Sequence, residues 1–181
     1  RLDEYARAMP ARPAALPSKA AMSVLQSIRG LLREQAVEFR EIHHPPTRTS
    51  EDSARERGEP LEIGGKALVV KLDDEFRLFV LSAALRFDSQ AVRERLGARR
   101  SRFATTEELA TLTGLVPGSV PPFGRPILPF DLYADVSIAA NERIAFNAGS
   151  LTDSIVLATA DYLRVAQPEV FRFSAEAKAA V

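Results

Sequence analysis

Three observations predict an α+β fold for this 181-residue chain. Two apolar, β-rich runs, "KALVVKL" and "RLFVLSA", flank a short polar "DDEF" segment, the pattern of a hairpin. Helix signals fall singly between strand-like runs rather than in the regular strand–helix alternation of a parallel α/β protein. No glycine-rich turn joins a strand to a helix with dinucleotide-binding or phosphate-loop spacing.

Taken in order, Ala and Pro dominate residues 9–17, so residues 1–22 read as an N-terminal arm or linker and 23–181 as the domain. Ser23 is placed to cap a helix over 24–35, where Val24, Leu25, Ile28, Leu31 and Leu32 recur at helical spacing. "VEFREIHH" predicts a short strand that Pro45 and Pro46 stop. "TSEDSARERG" carries a cap at Thr49 or Ser50, acids in its first turn, bases later and Gly58 as its stop. The hairpin follows. Asp88 or Ser89 caps a helix ending at Gly97, and Thr105 with Glu108 forms a capping-box pair for another that ends near Gly114. "PILPFDLYAD", "RIAFNAG" and "SIVLAT" predict three strands, and "TADYLRVAQP" a last helix capped at Thr159 or Asp161 and stopped before Pro168.

Composition excludes several functions. The chain has no cysteine, which removes disulfides, thiolate nucleophiles and cysteine metal sites and agrees with a cytoplasmic protein. Its two histidines, His43 and His44, are adjacent and cannot build a structural zinc site alone, so no metal or cofactor is expected. No apolar run approaches the ~20 residues that span a bilayer. The formal net charge of zero rules out a broad basic field, leaving only a local patch for nucleic acid. The candidate is "RERLGARRSR", residues 93–102, with five arginines against one glutamate. By composition alone it reads as a solvated helix end and loop.

The residues able to carry chemistry are few. "GLVPGSVPPFG", residues 114–124, holds three glycines and three prolines. Proline stiffens such a loop, and glycine lets its backbone approach a ligand. Gly118, Ser119 and Val120 keep N–H groups that could hold an oxyanion, although a plain structural turn has the same composition. Lys66 opens the strand "ALVVKL" and could meet a phosphate or carbonyl as a compact charge; Lys71, at its other end, could do likewise. "FNAGS" offers Asn147 as donor and acceptor, with close approach at Gly149. His44 could act as a base. No serine has a base partner in sequence, so a Ser-His-acid triad has little support.

The ordered stretches "GGKALVVKL", "LTGLVPGSVPPFG" and "IAFNAGSLTDSIVLATADYLRVAQPE" resemble the YbaK/prolyl-tRNA synthetase-associated editing-domain family, in particular its YeaK-type branch, over residues 23–173. The resemblance implies a mostly antiparallel, barrel-like sheet surrounded by helices. It also implies trans hydrolysis of mischarged aminoacyl-tRNA carrying a small or polar amino acid, with the acceptor end of tRNA, and a synthetase, as partners. Lys66 matches the family's strand lysine and Gly118–Pro122 its Gly-x-x-x-Pro loop, so Lys66, Gly118, Ser119 and Val120 are expected to act on the ester. Asn147, Ala148 and Gly149 match the amino-acid pocket, with His44 and Pro122 beside it, and Arg99, Arg100 and Arg102 become expected tRNA contacts. Asn147 stands where the YbaK branch tends to have serine, which leaves the amino acid open. A non-catalytic module binding tRNA or a synthetase, and a hydrolase of an unrelated small ester, remain the alternatives.

Overall fold

A computed structural model describes residues 22–177 of the chain, so all of the expected arm except Met22 lies outside the described residues. Ser23 starts α1 (Val24–Glu34): its hydroxyl accepts the Gln26 amide, while its own amide donates to the Gln26 side chain. Ile28 and Leu32 bury the apolar face of this helix. β1 (Phe39–His43) and α2 (Ser50–Arg57) follow, the latter capped by Thr49 and stopped at Gly58. A 3₁₀ turn over Leu61–Ile63 leads into β2 (Gly65–Leu72), which pairs with β3 (Glu75–Ser82) as the predicted hairpin. The turn is tighter than "DDEF" suggests: Asp73 and Asp74 alone reverse the chain, and Glu75 already faces Leu72 across the ladder.

β4 (Leu85–Phe87), α3 (Ser89–Leu96), β5 (Ser101–Phe103) and α4 (Thr106–Thr113) come next. β6 (Leu132–Asp135), α5 (Val136–Ala139), β7 (Arg143–Asn147), β8 (Asp153–Ala158), α6 (Thr159–Ala166), β9 (Glu169–Phe171) and β10 (Ser174–Glu176) complete the described chain. Asp88 caps α3 and Thr105 caps α4 with the predicted capping box. The last helix departs from expectation. Its cap position is Ala158, without a side-chain hydrogen bond, because β8 runs directly into it. Thr159 lies inside the helix, its amide bonded to the Glu142 carbonyl.

The strands form a mostly antiparallel arrangement with helices around it, as expected. One sheet has the order β5-β2-β3-β6-β9, a second β1-β8-β7, and β4 pairs with β10. Only the β3–β6 and β6–β9 pairings are parallel among the described residues. A bridge between Gly64 and Ala145 ties the two larger sheets together. The central hairpin is buried on both faces, which is why its strands read as continuous apolar runs. Val70, Leu72, Phe79 and Leu81 pack with Tyr133 and Phe173 on one side. Val69 and Leu78 pack with Leu115, Val120, Leu128 and Phe130 on the other, and Val80 joins Phe123 in the core beneath α1 and α6.

Asp135 locks the end of β6 to the C-terminal segment. Fully buried, it accepts the Ser137 amide at 2.9 Å, the Phe173 amide at 2.6 Å and the Ser174 hydroxyl at 2.8 Å. Burial alone would raise its pKa, but those hydrogen bonds outweigh burial and hold it below the ordinary carboxylate value. A lowered folded pKa means that the ionised carboxylate stabilises the fold above the unfolded value of about 4, and that this stability is lost as pH falls through the folded value. Asp135→Ala is expected to cost about 2–4 kcal/mol at neutral pH and to flatten the acid limb of a denaturation-versus-pH curve.

Candidate active site

The glycine- and proline-rich loop is held from several sides. Leu115 and Val120 sit in the core below β2 and β3, and Phe123 stacks edge-on against Phe146 and Tyr162. The buried Tyr162 hydroxyl donates to the Pro122 carbonyl at 2.8 Å, the Gly149 amide to the Ser119 carbonyl at 2.9 Å, and Asn147 Nδ2 to the Gly118 carbonyl at 2.8 Å. Gly118 has φ +86°, a backbone state that a side chain would strain. The Ser119 amide is used within the loop, bonded to the Val116 carbonyl at 3.1 Å. The amides of Gly118 and Val120 have no hydrogen-bond acceptor among the described residues.

Both residues line a cleft of about 220 Å³, together with Gly64, Gly65, Lys66, Ala67, Leu68 and Ala83 on one wall and Thr47, Arg48, Thr49, Ser50, Ser53, Arg57 and Asn147 on the other. The first wall exists because β5 pairs only with Val70–Leu72, which leaves Lys66–Leu68 without a strand partner on that side. Lys66 is partly buried, and its ammonium donates to the Leu85 carbonyl at 2.6 Å. Burial lowers its pKa from the ordinary lysine value, with Glu51 pulling in the opposite direction. The lining carries three cationic side chains, Arg48, Arg57 and Lys66, and no carboxylate. Its field suits an electron-rich or anionic group.

The second wall rests on a buried polar network. Arg57, 8% exposed, donates from Nε to Ser154 Oγ at 2.9 Å and from Nη2 to Asn147 Oδ1 at 2.8 Å. Burial pushes its guanidinium down to about 10, so it stays charged at neutral pH. Ser53 donates to Thr47 Oγ1 at 2.8 Å. His44 is buried behind this layer: Nδ1 lies 2.9 Å from the Pro45 carbonyl oxygen and Nε2 2.7 Å from Ser154 Oγ.

The structure therefore brings together Lys66, Gly118, Val120 and Asn147, and separates others from the cleft. Ser119 lies under the loop with its amide already bonded. His44 lies one layer back, behind Ser154. Pro122 turns its carbonyl to Tyr162. Ala148 is fully buried, its amide bonded to the Asp153 carbonyl. Gly149 lies against α1, where a Cβ would come within 2.8 Å of Val24. None of these five is in the lining. Sequence reading misses Thr47, Ser53 and Arg57. The signal for them is α2 itself: its buried residues are Ser53, Ala54 and Arg57, with no large apolar side chain to hold the helix down.

The arginine stretch sits elsewhere. Arg102 lies opposite Lys71 in the β2–β5 ladder, five residues along β2 from Lys66, or about 17 Å at the rise of a strand. Its guanidinium is committed to Glu108 by two 2.7 Å bonds. Arg99 and Arg100 are exposed, give their amides to Asp73, and form no ion pair among the described residues.

A cleft of this kind can polarise a carbonyl and stabilise an oxyanion. No histidine is among its lining residues. Comparison with known proteins gives the family. The chain belongs to the aminoacyl-tRNA editing domain family, whose model matches residues 44–165, and is an aminoacyl-tRNA deacylase. It is 37% identical over 154 residues to the multifunctional Ser/Thr-tRNA deacylase ProXp-y of Escherichia coli K12, covering 82% of this chain and 91% of that protein. It is 32% identical over 145 residues to a proline–tRNA ligase of Shouchella clausii, of which the match covers only 23%. A crystal structure of a proposed trans-editing enzyme for prolyl-tRNA synthetase shares the fold, with a TM-score of 0.73 over 85% of this chain and 98% of that one at 23% identity. Among the described residues no helix is long and apolar enough to cross a membrane.

Proposed function

We propose that the protein works in trans on tRNA mischarged with a small or polar amino acid, serine and threonine first among them. The observation that carries this reading is that Lys66, Gly118 and Val120, far apart in sequence, line one cleft. The resemblance to ProXp-y supports the amino-acid class.

In this reading the ester carbonyl oxygen turns toward the free amides of Gly118 and Val120. Lys66 holds the terminal adenosine or its phosphate. Water, oriented by the free ribose hydroxyl beside the ester, attacks the carbonyl carbon. The amides stabilise the resulting oxyanion, and each such donor contributes on the order of 3 kcal/mol in comparable hydrolases. Collapse breaks the bond to the ribose oxygen, which takes up a proton. Arg99 and Arg100 contact phosphates of the acceptor end; Arg102, neutralised by Glu108, contributes less. A synthetase of the same amino-acid system is the second proposed partner.

The test is deacylation of a panel of charged tRNAs across a salt series. Hydrolysis of seryl- or threonyl-tRNA above the buffer rate, weakening as salt rises, supports the reading. Arg99→Ala with Arg100→Ala should raise KM severalfold, leave kcat near wild type and shallow the salt slope by about 2, because each arginine neutralises one phosphate. Binding without turnover would instead support a non-catalytic module, and tRNA-independent cleavage of simple aminoacyl esters an unrelated esterase.

A further inference from the structure

Arg57 is the buried cation of the cleft lining, and the carboxylate that acts on it, Glu59, is itself paired with Arg40 and Arg143. The partners of Arg57 are two neutral side chains, Ser154 and Asn147, and no carboxylate bonds to it. A buried charge is costly unless it is paired and hydrogen-bonded. Nη1, the third guanidinium nitrogen, makes no hydrogen bond among the described residues. It lies on the cleft side, 3.9 Å from where a Cβ on Gly64 would stand.

The surrounding side chains have little capacity left. Asn147 Oδ1 takes Arg57 and Ser154, and Nδ2 gives to the Gly118 carbonyl. Ser53 gives its proton to Thr47, whose hydroxyl faces the Leu151 carbonyl. Arg57 Nη1 is thus the free donor of the buried part of this wall, Arg48 being exposed, and Gly64 and Ala83 line the cleft beside it.

We propose that Arg57 is a specificity-determining residue: Nη1 donates to the side-chain hydroxyl of the aminoacyl group, and the Ser53 hydroxyl completes its environment. This rests on the deacylase reading above. It explains how one cleft could take serine and threonine while discriminating against apolar side chains of equal size, because an analogue without the hydroxyl leaves a buried charged donor unmet.

The first measurement uses the wild-type protein and one tRNA charged with serine or with its isostere 2-aminobutyrate, which replaces the hydroxyl by a methyl group. kcat/KM is expected to favour serine at least about tenfold, the loss of one charge-assisted hydrogen bond. The second compares Arg57→Lys and Arg57→Gln, checked for a cooperative melt, on the same pair. The serine preference should collapse toward unity, because cleavage of seryl-tRNA falls about tenfold further than that of 2-aminobutyryl-tRNA. Equal wild-type rates on the two substrates would overturn the proposal even if neither variant folds. An equal slowing of both by the variants would also overturn it, since Arg57 would then serve the shared ester or the fold alone. Wild-type protein that cleaves no charged tRNA would instead bring down the deacylase reading itself.

Discussion

Lys66→Ala is expected to slow deacylation by about a hundredfold or more, the scale of losing one charged group that acts on a reacting ester. The folded protein should scarcely register the change. The Lys66 ammonium is partly buried, its pKa is lowered by burial, and its described partner is a single carbonyl, that of Leu85. Removing it relieves a desolvation cost, so stability should stay within about 1 kcal/mol of wild type. A side chain that does little for the fold and much for the rate is the mark of a functional group. Lys66→Arg should not restore activity, because a planar guanidinium cannot stand in for a compact ammonium in a narrow cleft. Lys71→Ala is the control. An odd number of residues further along β2, it points to the opposite face, over the Phe76 ring at 5.5 Å, and should leave the rate on a short aminoacyl-adenosine substrate unchanged.

Asn147→Ala should lower both stability and rate. The Asn147 amide joins the polar wall to the loop, accepting from Arg57 at 2.8 Å and donating to the Gly118 carbonyl at 2.8 Å. Truncation leaves a buried guanidinium short of a partner and frees the loop, so a loss of about 2–4 kcal/mol and at least tenfold in kcat is expected. Asn147→Asp separates the two roles. A carboxylate still satisfies Arg57, and more strongly, but has no hydrogen to give the Gly118 carbonyl. That variant should melt near or above wild type and still lose at least tenfold in kcat. Full activity in Asn147→Asp would show that the loop does not need this tether.

Much of the fold is legible because its signals are local. The caps at Ser23, Thr49, Asp88 and Thr105 act within three residues of themselves, and the β2–β3 hairpin announces itself by composition. β4, β5, β9 and β10 escape reading because three residues are too few to show an alternation. Within the site, the loop is legible as a rigid backbone and Lys66 as a charge at the mouth of a buried strand. The division of labour inside "GSVPP" is not, since only the three-dimensional turn shows that the Ser119 amide is already bonded while its neighbours are free. Arg57 reads in sequence as a base suited to the end of a helix. Its partners Asn147 and Ser154 lie 90 and 97 residues away, a distance over which local pattern says nothing. Ala148 and Gly149 fall in the right segment, but strand alternation and the packing of α1 turn them from the cleft while Asn147 faces it.

The central claim is that free loop amides and one ammonium meet the same ester. A crystal soaked with a non-hydrolysable seryl-adenosine analogue, with an amide in place of the ester, tests it most directly. The analogue's carbonyl oxygen is expected about 3 Å from the Gly118 or Val120 nitrogen, with the adenosine reaching the Lys66 ammonium. An analogue seated with its carbonyl away from the loop, or one that binds equally well to Lys66→Ala protein in some other part of the molecule, would contradict it.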